Sequence, residues 1–205
     1  DSRYRTELYK LRRKFMSHAD GLIHADLHTS NILASRDEMK VIDMEFAFMG
    51  PFGYDLGYLV GNLISQYCAA CFKRFPSEQN RKQFKAYLLA TIQSLIETYM
   101  KTFTLCWERS VKERYRGQQG LLQSILQEVM VDMPGYASMV NWFRSVSDIP
   151  YPDFDVIENK DAKRNATVLS LMIDWGIMFG RYKYQSADDL IETIIGIEEE
   201  FRKSL

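Results

Sequence analysis

Apolar residues recur at helical spacing along most of this chain and switch to short runs in only one place. Tyr4 to His18 mixes polar and apolar positions, with Leu8, Leu11 and Phe15 on one face, which predicts an amphipathic helix. Ala19-Asp20-Gly21 ends it. Two short apolar runs follow, Asn31 to Ala34 and Met39 to Ile42, separated by Ser35-Arg36-Asp37-Glu38; they predict a small hairpin. Gly50-Pro51-Phe52-Gly53 is a turn by composition. Helices are then expected over 55–73, 78–107, 121–131, 161–184 and 187–203. Ser77 is placed to cap the second of these. Pro134-Gly135 is expected to break the third. The last carries Leu190, Ile191, Ile194 and Ile195 at helical spacing. The charged, glycine-punctuated segment Val111 to Gly120 reads as an exposed loop, and Ile149-Pro150-Tyr151-Pro152-Asp153 as an irregular connector. The fold class expected is mainly α with a small β-hairpin, without internal repeats.

Leu56 to Phe72 runs seventeen residues without a charge and contains Gly57-x-x-x-Gly61, a spacing also used where membrane helices pack. Asn62, Ser65 and Gln66 interrupt it, and it is short for a bilayer. It reads as a helix buried in a protein core, and no membrane association is expected. The 205 residues suffice for one domain or one lobe of a larger protein. A hydrophobic content of 46% with 26% charged residues is that of a folded globular chain. A formal net charge of −1 gives no basic footprint, so no nucleic-acid partner is expected. The three cysteines are no disulfide framework. Cys68 and Cys71 fall inside a predicted helix and read as buried reduced thiols, which fits a cytoplasmic setting. The chain opens at Asp1 rather than methionine, and it is expected to be a fragment.

The hairpin carries the candidate chemistry. In His24-Ala25-Asp26-Leu27-His28-Thr29-Ser30-Asn31, an aspartate stands two residues after a histidine and an asparagine five residues later. This resembles the catalytic-loop spacing H-R-D-L-x-x-x-N of kinases. Asp26 is the candidate base for a substrate hydroxyl. Asn31 offers an amide oxygen, a hard neutral ligand that suits Mg²⁺. Asp43 lies at the exit of the second strand, so the hairpin returns it toward Asp26. Asp43 and Glu45 share a face if the segment stays extended, and a cation between them would relieve their repulsion. His24 is expected to prop the loop by hydrogen bonds; His28 either does the same or faces the substrate. Asp55 is read as an acidic helix cap that also receives backbone N–H groups from the catalytic loop. No glycine-rich loop, no Gly-Lys-Ser/Thr and no strand lysine is present to cover ATP phosphates. A kinase lacking its N-terminal lobe has this pattern, and such a chain alone is expected to be inactive.

Leu22-Ile23-His24-Ala25-Asp26-Leu27-His28-Thr29, followed by the run from Val41-Ile42-Asp43-Met44-Glu45 through Gly50-Pro51-Phe52-Gly53-Tyr54-Asp55-Leu56-Gly57, resembles the C-terminal lobe of 5-methylthioribose kinases. These belong to the aminoglycoside phosphotransferase and choline kinase superfamily. Ala25 stands where the family has glycine, and Met44 where it has proline. The resemblance implies a protein-kinase-like α+β fold, of which residues 1–205 form the helical C-terminal lobe. Residues 22–57 would be its catalytic loop and metal hairpin, and 58–205 its acceptor-binding part. It implies transfer of the ATP γ-phosphate to methylthioribose, a small-molecule substrate of methionine salvage. Asp26 would be the base, Asp43 and Glu45 the magnesium ligands, and the protein a homodimer. It aligns Arg181, in Gly176 to Tyr182, with one of the family's sugar-gripping arginines. The alternatives left open are an amino alcohol or aminoglycoside acceptor, and a non-catalytic kinase-like binding module.

Overall fold

The computed structural model describes residues 1–149 and 151–205, so Pro150 of the expected connector lies outside the described residues. Helix α1 (Ser2–Ser17) leads into four three-residue strands: β1 (Gly21–Ile23), β2 (Ile32–Ala34), β3 (Met39–Val41) and β4 (Phe48–Gly50). Six helices follow: α2 (Gly53–Ala70), α3 (Glu78–Ser110), α4 (Gln119–Val146), α5 (Pro152–Asp155), α6 (Lys160–Gly180) and α7 (Ala187–Ser204). The fold is mainly α, as expected. The expected hairpin is the antiparallel pair β2–β3, with Ile32 opposite Val41. A second pair, β1–β4, joins the entry and exit of the whole loop region, with Leu22 opposite Met49. Its strands are too short for periodicity to announce them.

Helix α2 is the buried centre. Val60, Ile64, Cys68 and Ala69 are fully buried and pack with Ile92 of α3, Met133 of α4 and Ile173 of α6. Its apolar run is core; among the described residues no helix is long and apolar enough to cross a membrane. Gly57 and Gly61 face α4. A Cβ on Gly57 would stand 2.6 Å from the Met133 carbonyl, and one on Gly61 2.6 Å from that of Ala137. Side chains there would wedge the helices apart, at about 1–3 kcal/mol for an overpacked site. Cys68 and Cys71 are buried free thiols, and burial pushes the Cys71 thiol up to about 12.

The α4 helix contradicts one expectation: it runs through Pro134 and Gly135 instead of ending there. Proline costs a helix interior about 3 kcal/mol, mainly through a lost hydrogen bond and a ring clash. Here the segment is buried from Asp132 to Ser138, and tertiary packing outweighs that cost. Gly135 also lets Leu11 of α1 and Arg181 approach closely; a Cβ would lie 2.7 Å and 2.9 Å from them. The segment 111–120 is largely exposed, with one short 3₁₀ turn. Ser77 caps α3, accepting from the Asn80 N–H at 3.1 Å.

Glu198 of α7 ties three helices in the core. It accepts hydrogen bonds from Tyr67 of α2 and Lys85 of α3, and pairs with Arg202 at 2.6 Å. Burial alone would raise its carboxyl, but these three donors prevail and hold it down at about 2. A depressed carboxylate stabilises the fold above the ordinary Glu range and loses that contribution as pH falls toward its folded value. The melting temperature is therefore expected to drop as pH is lowered from about 5 toward 2. Glu198→Gln should cost about 1–3 kcal/mol at pH 7, by leaving Lys85 without its partner, and should flatten that pH dependence. Thermal melts of both proteins across this range check it; parallel pH curves would refute the assignment.

Candidate active site

The catalytic-type loop leaves β1 at Ile23 and is fixed by one carboxylate. Asp55, in the first turn of α2, accepts the N–H of His24 through Oδ2 at 2.6 Å and that of Ala25 through Oδ1 at 2.9 Å. The helix-cap half of the expectation for Asp55 does not hold. The cap position is Phe52, which makes no side-chain cap bond. Both Asp55 oxygens are instead spent on the loop. Burial raises the Asp55 carboxyl above its usual range, against the two N–H bonds that favour its charge. Ala25 sits at φ 68°, in the left-handed region. That conformation costs a residue with a side chain about 1–2 kcal/mol. Hydrogen bonds to a charged acceptor contribute about 1.5–3 kcal/mol each, enough to hold the turn.

His24 is buried and makes the second tie. Its Nε2 reaches the Ile42 carbonyl at 2.8 Å, so that nitrogen carries the proton, and Nδ1 accepts the Asp26 N–H at 3.3 Å. Asn31 is also buried. Its Nδ2 donates to the Asp26 carbonyl at 3.1 Å, which leaves Oδ1 as the end able to meet a cation. Asp26 keeps its carboxylate clear of the backbone. His28 Nε2 lies 3.5 Å from Oδ2, and the Tyr58 phenol bears on the same carboxylate, which raises the Tyr58 hydroxyl further after burial.

Asp43 and Glu45 do not share a strand face. Asp43 has φ 66°, and Glu45 lies in a turn closed by the Ala47 N–H to the Met44 carbonyl at 3.1 Å. The alternation rule needs extended backbone, and β3 ends at Val41. Among the described residues no three His, Cys, Asp or Glu side chains come together as a metal cluster. Both carboxylates are exposed and neither has a hydrogen-bond or ion-pair partner among the described residues. Mg²⁺ typically keeps several waters and takes one or two carboxylates plus substrate phosphates. An amide oxygen and uncommitted carboxylates fit that donor set without a closed protein cage.

Arg181, which the resemblance aligns with a sugar-gripping arginine, lies in the helix packing. It is 2% exposed and pairs with Glu7 of α1 at 2.8 Å, with Nη1 on the Val131 carbonyl at 3.2 Å. Asp132 lies 3.9 Å away. From the C-terminal end of α6, its guanidinium fastens α1 to the middle of α4. Tyr54 and Tyr58 escaped the sequence reading. They stand one helical turn apart on α2, flanking Asp55, and that spacing was the signal: the helix that anchors the loop turns the same face toward Asp26. Burial, then Asp55 and Asp26, push the Tyr54 phenol up to about 12.

Residues 3–96, which include the loop, the hairpin and Asp55, match the phosphotransferase enzyme family. The methylthioribose kinase of Geobacillus thermodenitrificans is 32% identical over 198 residues, covering 97% of this chain and 48% of that protein. The one from Geobacillus kaustophilus is 33% identical over 92% of this chain and 45% of its own length. The one from Exiguobacterium sibiricum is 35% identical over 67% of this chain and 33% of its own. The chain thus spans about half the length of the first two. The likeness thus begins in α1, takes in the anchored loop and continues into the last helices: over residues 3–96 the chain is similar to the phosphotransferase enzyme family, and over most of its length to about half of each of two methylthioribose kinases.

Proposed function

We propose that this chain is the acceptor-activating lobe of an ATP-dependent small-molecule kinase, with 5-methylthioribose the first acceptor to test. The observation that carries the proposal is Asp26: a carboxylate free of backbone bonds, on a loop locked by Asp55, beside His28 and Tyr58. In this reading the acceptor hydroxyl bonds through its oxygen to the transferring phosphorus, the bond to the departing ADP breaks, and the hydroxyl proton passes to Asp26. His28 and Tyr58 orient the Asp26 carboxylate and the incoming hydroxyl. Asn31, Asp43 and Glu45 supply the oxygens that would hold Mg²⁺, whose charge would neutralise the phosphates. The phosphate-covering part lies outside the described chain, in the half of the relatives' length that it does not span. The relatives' name supports methylthioribose and its place in methionine salvage, and the setting proposed is cytoplasmic. Asp26 with its anchored surroundings favours catalysis over a silent binding module.

Asp26→Asn in the full-length enzyme is expected to lower kcat by about 10²–10⁴-fold while ATP binding stays within about twofold, because only proton acceptance is removed. Steady-state kinetics with calorimetric ATP titration measures both, and near-normal turnover would refute the role. Asp55→Ala should free the His24 and Ala25 amides, so that their hydrogen exchange accelerates and kcat falls while the far helices keep their protection. Unchanged exchange there would end the anchoring argument. The 205-residue chain alone is expected to show no ATP-dependent phosphorylation of methylthioribose, and a co-expressed upstream lobe should restore it. Turnover by the isolated chain would overturn the division of labour.

A further inference from the structure

We infer that the chain holds a second small-molecule site, apart from the phosphotransfer loop, that takes an aromatic carboxylate. The site is a cavity of about 420 Å³ that opens among α1, α2, the C-terminal part of α4 and Tyr151. Neither Asp26 nor His28 lines it, so the ligand argued for is a different molecule from the phosphate acceptor. The walls come ready formed. Phe15 of α1 meets Tyr54 of α2 at 4.6 Å between ring centroids, and Tyr54 meets Tyr136 of α4 at 5.0 Å. The Tyr136 hydroxyl donates to the Leu11 carbonyl at 3.1 Å, which ties these rings to α1. Tyr58, Trp142 and Phe143 complete an aromatic lining. Trp142 and Phe143 stay 41% and 44% exposed, apolar area that a flat ring seated beside them would cover.

Small-molecule sites occupy about 300–1,000 Å³ and combine an apolar lining with a few polar groups that fix orientation. The aromatic faces favour a ring over a branched aliphatic body, because offset and edge-to-face stacking add to burial. The polar groups set the sign of the ligand. No Asp or Glu lines the cavity among the described residues; Arg12 and Arg144 do. The two arginines differ. Arg144 is already committed: its Nε donates to Asp153 at 2.5 Å, and its guanidinium lies 4.5 Å over the Tyr151 ring. Arg12 is exposed and has no hydrogen-bond or ion-pair partner among the described residues. The Tyr54 and Tyr151 hydroxyls likewise make no hydrogen bond among them and are able to donate. A guanidinium fork matches a carboxylate through two parallel N–H···O bonds. A neutral ligand would leave Arg12 unpaired, and an ammonium would be repelled by it. The ligand class is thus a ring-bearing monoanion, its ring among the aromatic walls and its carboxylate at Arg12. Because those walls belong to three helices, the bound ring also fastens α1 to α2 and α4.

The test titrates 4-phenylbutyrate, 4-phenylbutan-1-ol and 4-phenylbutylamine calorimetrically into this chain at neutral pH. The three probes share one apolar body and differ in the charge of its end. The carboxylate is expected to bind at least about tenfold more tightly than the alcohol, a difference of about 1.4 kcal/mol, and the amine to bind most weakly. Arg12→Gln, at an exposed position outside the catalytic loop, should bring the carboxylate down to the level of the alcohol and leave the alcohol unchanged. A Trp142→Ala/Phe143→Ala double variant should weaken all three probes with its circular dichroism unchanged. Asp26→Asn should alter none of them. No binding of 4-phenylbutyrate at millimolar concentration, an amine that binds as tightly as the carboxylate, or a carboxylate preference that survives Arg12→Gln overturns the inference. Loss of binding in Asp26→Asn overturns the separation of this site from the catalytic loop. The phosphotransfer reading is judged separately, by turnover of the full-length enzyme, and stands or falls without these titrations.

Discussion

One carboxylate holds the chemistry in place. Asp55 receives two consecutive backbone N–H groups, from His24 and Ala25, and both belong to a turn that is unfavourable on its own. Without that acceptor, two part-buried donors would lack partners, one of them on the strained alanine, and the loop would relax. With it, the chain leaves β1, makes its left-handed step and presents Asp26 away from the backbone. His24 extends the lock to the hairpin through the Ile42 carbonyl, so loop and hairpin move as one piece. The strained residues sit among the candidate groups: Ala25 directly precedes Asp26, and Asp43 is itself a candidate metal ligand, where a fold that over-determines its backbone can keep such strain.

Asp55 can act this way because α2 itself cannot move. Gly57 and Gly61 bring its backbone against the carbonyls of α4, and its opposite side fills the core with Val60, Ile64 and Cys68. The same helix delivers the loop anchor and Tyr54 and Tyr58, which line a cavity between α1, α2 and α4. Packing and loop anchoring are thus two faces of one rigid element. A side chain added at Gly57 would displace not only α4 but also the carboxylate on which the loop hangs.

The parts legible in the sequence were those set by local rules. The Asp26 loop, the β2–β3 hairpin, the cap at Ser77 and the buried character of α2 follow from spacing and turn residues, and each is present. Long-range packing hid the rest. Pro134 reads as a helix breaker until α1, α2 and Arg181 are packed around it. Alternation misplaces Glu45 because Asp43 adopts a left-handed φ that no periodicity signals. The partner of Arg181 is Glu7, 174 residues earlier in the chain, and no local pattern announces that pair. Ile195 keeps helical spacing with Leu190 and Ile194 but remains 36% exposed, at the margin of the buried stripe.

A polar seam in the core explains why such long helices meet in one register. Ser65 of α2 donates to Asn141 of α4 at 2.8 Å, and Asn141 donates in turn to Asp174 of α6 at 2.7 Å. Ser138 donates to the Asp174 carbonyl at 3.0 Å and meets the Tyr4 hydroxyl of α1 at 2.6 Å. Asp174 is 1% exposed, its Oδ2 has no partner among the described residues, and burial drives its carboxyl far above the ordinary range. Burial disfavours a bare charge at this point of the seam. Apolar faces alone would tolerate sliding by a turn; hydrogen bonds at fixed positions on four helices do not. The consequence reaches a cavity of about 420 Å³ between these helices: α1 supplies Phe15 and Arg12 to it, and α4 supplies Trp142 and Phe143, so the seam and the Glu7–Arg181 pair set its width.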